Sequence, residues 1–317
     1  MLSLSYVGTQ GHHLMDDLDD NPGVPSLCLS VSQTNEVLPG TPTCGPFGEN
    51  GTYHPVTGGV INGTRAPFGP LFGGNGYYDT MGNSRYNALE ATLRHTSGRM
   101  AFLAGYTYSK ALDNSSGYGE QVDPYNYRLS EALGASDMTN VFTFSYTYEL
   151  PFDKLSRAST RLTRGWKVSG ITRFTTGLPV TLYEYDDNSL LGSCSTGPNG
   201  NCSNLPDHTP GKILENTNPR DGGTYFNTSL FSPEHIGQQG TSARRFFHGP
   251  GINNWDLALL KDLHLTETKT LEFRGEFFNV FNHAQFYGAS AVNANIDSTA
   301  FGLVTSAAAA RIGQVAI

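Results

Sequence analysis

Hydrophobic and polar residues alternate one by one along eight separate stretches of this chain. The sharpest is Leu271 to Asn282, LEFRGEFFNVFN. Leu271, Phe273, Gly275 and Phe277 fall on one parity, and Glu272, Arg274 and Glu276 on the other. A period of two sends successive side chains to opposite faces of a β-strand. The same pattern predicts strands over 1–7, 100–110, 139–150, 165–176, 253–264 and 311–317. In 139–150, Phe142, Phe144, Tyr146 and Tyr148 oppose Thr143, Ser145, Thr147 and Glu149. Residues 84–96 read two ways. Leu89 and Leu93 stand four apart behind Ser84, as in a capped helix, yet Leu89, Ala91 and Leu93 also alternate with Glu90, Thr92 and Arg94. The tight turn at 97–99 and the strand after it favour a hairpin, so a strand is expected there.

The connections alternate in length. Those over 9–83, 111–138, 181–252 and 283–310 are long, aperiodic and polar; those near 97–99, 151–164 and 265–268 are short. In an up-and-down meander, odd and even connections lie at opposite ends. All the long ones here share one parity, the arrangement of an outer-membrane barrel with short periplasmic turns and long extracellular loops. The predicted fold class is therefore all-β, an antiparallel up-and-down transmembrane barrel segment of about eight strands. A soluble secreted β-rich binding or adhesion domain is the alternative, because a sandwich strand alternates too.

Composition narrows the choice. The chain has 317 residues, of which 38% are hydrophobic and only 15% charged, with 37 glycines, 16 tyrosines and 18 phenylalanines. Few charges with many aromatics and glycines suit strands and loops and argue against disorder. A net charge of −8 argues against nucleic-acid binding. No apolar run approaches the roughly 18 residues of a membrane helix, which leaves barrel strands untouched. The opening MLSLSYVGTQG has neither the basic start nor the apolar core of a signal peptide, so a fragment of a longer protein is expected.

Taken together, LSYVGTQGHHL (4–14), NALEATLRHTSGRMAFLAGYTYSKALD (87–113), GWKVSGITRFTTGLPV (165–180), NWDLALLKD (254–262) and FRGEFFNVFNHAQF (273–286) resemble the C-terminal half of the barrel of TonB-dependent outer-membrane receptors, especially the Oar-like group abundant in acidobacteria. The resemblance covers nearly the whole chain. It implies a barrel of about 22 strands closed by a plug, uptake driven through contact with TonB, and no enzymatic activity. It also implies partners: membrane lipid, the rest of the barrel, the plug, and TonB through an N-terminal segment this sequence lacks. The family usually ends on an aromatic residue, whereas this chain ends on Ile317, so a clipped last strand is expected. Eight strands alone would present two open edges.

Several residue groups carry candidate chemistry. Cys28 with Cys44, and Cys194 with Cys202, each lie within one long connection and match no zinc spacing. Local disulfides in an oxidising compartment are expected, against four free thiols. His12, His13, Asp16, Asp17, Asp19 and Asp20 resemble a calcium cluster, but Pro22 stands where a calcium loop wants glycine. A solvated acidic loop is the expectation, with no metal and no cofactor. Glu272, Arg274 and Glu276 are expected to face a wet lumen rather than to act as paired catalytic carboxylates. Tyr53, Phe72, Tyr77, Tyr78, Tyr118, Tyr125 and Tyr127 are candidate ligand contacts in outer loops, where rings stack on sugars or aromatics or simply pack the loops.

Overall fold

A computed structural model describes residues 1–24, 67–68, 72, 74–117, 119–155, 160–184, 188–191, 204–214, 221–235 and 237–317. Cys28, Cys44, Cys194, Cys202, Tyr53 and Tyr118 lie outside the described residues.

Each alternating stretch forms a strand: β1 (Leu2–Asp19), β2 (Gly76–Ser97), β3 (Met100–Asp113), β4 (Asn140–Glu149), β5 (Trp166–Thr175), β6 (Ile252–His264), β7 (Thr270–Phe278) and β8 (Ile312–Ala316). They pair in sequence order, every neighbour antiparallel, and a short strand, Ala132–Leu133, adds to the end of β3. The ambiguous 84–96 is strand throughout. Among the described residues, β1 pairs only with β2, and β8 only with β7.

Register fixes the two faces, because directly paired residues point the same way. The row Leu4, Ala91, Tyr106, Phe142, Phe174 runs across five strands through successive pairings. Near the other end, Tyr148, Val168, Leu259 and Gly275 continue the same face to Val315. Rings pack along it: Phe102 tilted against Phe144 at 5.6 Å, Phe142 stacked on Phe174 at 6.1 Å and Phe174 edge-on to Trp255 at 5.7 Å between centroids. The opposite face is a polar ladder. Lys167 meets Asp262 at 2.7 Å, the Thr147 and Ser169 hydroxyls meet at 3.3 Å, and Arg274 reaches Glu272 at 2.9 Å and Glu276 at 3.4 Å. No register slip interrupts this segregation from β2 to β8.

The apolar face is not a core. Leu4 and Tyr6 are 67% and 70% exposed, Leu89 52% and Val315 88%. The buried hydrophobic cluster lies elsewhere, in the long connections: Val180, Leu182, Phe226, Phe231, Phe247, Val292 and Ala294 join 176–251 to 279–311.

Three expectations need correcting. β1 runs on to Asp19 and β2 begins at Gly76, well inside the stretch read as a loop over 9–83. Two register shifts, Gly11 to Leu14 and Leu14 to Asp16, explain this. Each bulge swaps the faces of the residues beyond it and erases the period. Asp16, expected in a solvated acidic loop, therefore sits in a strand and is fully buried. Tyr77 and Tyr78, expected in an outer loop, lie in β2. β7 stops at Phe278 because Asn279 and Asn282 take positive φ (52° and 51°), a backbone region Asn tolerates better than most residues.

Candidate functional site

All the long connections leave the same end of the sheet, and buried ions there tie the connection after β3 to the one between β5 and β6. Arg244 and Arg245 precede β6 and are almost fully buried. Arg244 Nη2 donates to Asp113 Oδ1 at 2.9 Å, at the tip of β3, and to the Ser130 carbonyl at 3.1 Å. Arg245 Nε donates to the Leu133 carbonyl at 2.8 Å, and its guanidinium forks onto Glu120. Burial pulls both guanidinium pKa values down to about 10. For Arg244 the like charge of Arg245 contributes to that drop, and both remain cations at neutral pH. Nearby, His248 Nε2 lies 2.7 Å from Asp137 Oδ2.

Asp16 anchors β1 to the same network. Its Oδ1 accepts from Ser115 Oγ at 2.9 Å and from the Gly119 N–H at 3.2 Å, and its Oδ2 accepts from the Tyr127 hydroxyl. Burial, then the hydrogen bond to Asp16, push the Tyr127 phenol pKa up, so it stays a donor. Tyr125 donates to the Gly23 carbonyl at 2.9 Å. A cavity of about 780 Å³ opens beside these two tyrosines, lined also by His12, His13, Arg85 and Arg128.

The structure thus brings together two of the candidate ring contacts, Tyr125 and Tyr127. Tyr77 and Tyr78 do not line that cavity, and Phe72 packs edge-on against Phe68 at 6.2 Å. Glu272, Arg274 and Glu276 share the polar face of β7, and both carboxylates are engaged by Arg274. Among the described residues no group of three or more His, Cys, Asp or Glu is arranged to hold a metal ion. No period or motif marks the ion network in the sequence. Its one signal is the doublet Arg244–Arg245 set against Phe246–Phe247, a pair of charges with no local partner.

Residues 1–314 match the family described as "Outer membrane beta barrel domain". The chain belongs to that family. No curated protein and no solved structure matches it. As an outer membrane beta barrel domain it resides in the cell outer membrane in contact with lipid, and its two faces acquire their solvents. The apolar face meets hydrocarbon, and an Arg placed there at the midplane would cost about 2–4 kcal/mol. On β4 the lipid-facing span from Asn140 to Tyr148 is eight steps, roughly 27 Å along the strand. That suits a band about 25 Å tall crossed at a tilt. Polar-tipped rings mark its edges: Tyr6 donates to Asn87 at 2.6 Å and Tyr106 to Asn140 at 2.7 Å on one side, and Trp166 donates to the Leu162 carbonyl at 2.8 Å on the other. Such rings prefer the interface, where one part is dry and the other wet. Lys261, on the lipid-facing parity near the short-turn edge, donates to the carbonyls of Arg161 and Arg164 and so is held away from hydrocarbon.

Proposed function

We propose that this chain is the C-terminal portion of a TonB-dependent, Oar-like receptor barrel that takes up a substrate across the outer membrane, and that it is not an enzyme. The observation that carries the reading is the ordered set of receptor-like stretches, each on a strand of one unbroken meander. GWKVSGITRFTTGLPV covers β5 and its outward exit, and FRGEFFNVFNHAQF covers β7 and its turn. The two outermost strands support a larger barrel: among the described residues β1 pairs only with β2 and β8 only with β7, and a barrel in lipid leaves no edge unpaired. The polar ladder from Lys167 to Glu276 would line a hydrated interior facing a plug. Arg274 bridging Glu272 and Glu276 supports a wall role over acid–base chemistry. A soluble secreted domain would have to leave the whole Leu4-to-Val315 face in water, which argues against the alternative.

Cross-linking in whole cells followed by capture of the native protein tests this. A TonB adduct, together with recovery in the outer-membrane fraction, is expected. Outer-membrane recovery with no TonB adduct under conditions that label a known TonB partner would leave a passive barrel and sink the energised reading.

A further inference from the structure

We propose that the outer rim above β1–β3 binds the phosphorylated headgroup of an outer-leaflet lipid, on the side of the wall that faces away from the interior. This stands whether or not TonB drives the barrel.

The face comes first. Gln10, Arg85 and Leu112 form one directly paired row across three strands. By parity that row is on the same face as Leu4, Leu89 and Tyr108, so it is on the lipid side. The height comes next. Tyr6 and Tyr106, with Asn87 and Asn140, mark the edge of the dry band. Arg85 lies four residues beyond Leu89 along β2, about 13 Å further out, which is headgroup depth. Lys110, paired with Asn87, projects on the same face between the two levels and is exposed.

The chemistry follows. The cavity of about 780 Å³ at this rim is lined by Arg85, Arg128, His12 and His13, with Glu131 as the only carboxylate among its lining residues. Glu131 pairs with Arg85, and both are more than half exposed, so water screens that pair heavily. Arg128 and Lys110 add two further positive charges. Guanidinium groups bind phosphate in a fork, and clustered cations beside a bilayer recruit anionic headgroups. Leu112 supplies an apolar wall continuous with the dry band below. A soluble solute bound for the interior would approach the other face of these strands. The occupant favoured by position is therefore a lipid whose acyl chains run down Leu4, Leu89 and Tyr108 while its phosphate meets Arg85 and Arg128.

The test uses the intact protein purified in detergent, with bis-phosphorylated lipid A as probe, followed by native mass spectrometry and fluorescence titration. Binding of at least one lipid A per chain is expected, at least tenfold tighter than dephosphorylated lipid A or phosphatidylcholine. Arg85→Gln with Arg128→Gln should weaken it at least tenfold, and the Lys versions of both should restore most of it. Arg128 is exposed, so Arg128→Gln alone should keep the heat-modifiable migration of a folded barrel even if the double variant does not. Unchanged lipid A binding in folded Arg128→Gln overturns the proposal. So does displacement of lipid A by low-millimolar inorganic phosphate, which would make the site one for soluble anions, and so does equal binding of the dephosphorylated lipid.

Discussion

Arg245 grips Glu120 with two parallel bonds: Nη1 donates to Oε1 at 3.0 Å and Nη2 to Oε2 at 2.7 Å. The two residues are 125 apart in sequence, so this fork clamps the connection after β3 to the approach into β6. With Arg245 only 2% exposed, removing Glu120 would leave this buried charge facing Asp113 at 3.7 Å in place of a close fork. Breaking such a pair costs about 3–5 kcal/mol. Glu120→Ala should therefore lower the unfolding temperature of the outer loops and open 114–139 to protease, measured on the intact protein in detergent. Unchanged protease resistance would mean the clamp carries no stability.

Face assignment predicts opposite fates for adjacent residues. Phe144 points to lipid and Ser145 to the interior. Phe144→Arg should cost about 2–4 kcal/mol and deplete folded protein from the outer membrane, read as loss of heat-modifiable migration. Ser145→Arg should insert normally.

Glu234 links stability to pH. Burial, then the neighbouring Glu184, raise its pKa above the ordinary 4.5. Unfolded chain loses this proton near pH 4.5, while the folded body keeps it, so the folded state binds more protons above that pH. Stability is then full at low pH and falls as pH rises toward the folded pKa, by at most about 1.4 kcal/mol per unit. The loop body should melt at a lower temperature at pH 8 than at pH 5, and Glu234→Gln should flatten that difference. A variant that keeps the full slope would place its origin in other groups.

Backbones cross tightly where the connection between β5 and β6 leaves and returns. A Cβ on Gly251 would lie 2.0 Å from the Thr175 carbonyl oxygen, and one on Gly177 would lie 2.1 Å from that of Gly249. Gly251→Ala should cost about 1–3 kcal/mol through overpacking, seen as a lower melting temperature with the barrel still assembled.

The expected cystine pairs are open to direct mapping. Digestion without reductant should yield peptides linking Cys28 to Cys44 and Cys194 to Cys202. Free thiols at all four positions would refute the pairing.

Strands were legible because two unlike media impose the strictest alternation a chain can show. Phe142 to Tyr148 could be read from residue types alone. Beyond the band both sides of a strand meet polar surroundings, and alternation loses its cause. That is why the outer part of β1, with Gly8, Gly11, the bulge at His12–His13 and the run from Asp16 to Asp20, looked like a loop. The ion network was illegible for a different reason. Arg244 meets Asp113 and Ser130 more than a hundred residues away, and only folding creates that proximity. The loop core likewise gathers single residues, from Val180 to Ala294, that no period connects.

That core has a consequence for how the protein meets the world outside the cell. Two neighbouring loops share one dry centre built around Phe226, Phe231 and Phe247. They should present a fixed relief rather than independent ribbons. Antibodies or phage that settle on this part of the surface would then recognise a three-dimensional shape assembled from distant segments, and short synthetic peptides copied from either loop would be poor substitutes for it.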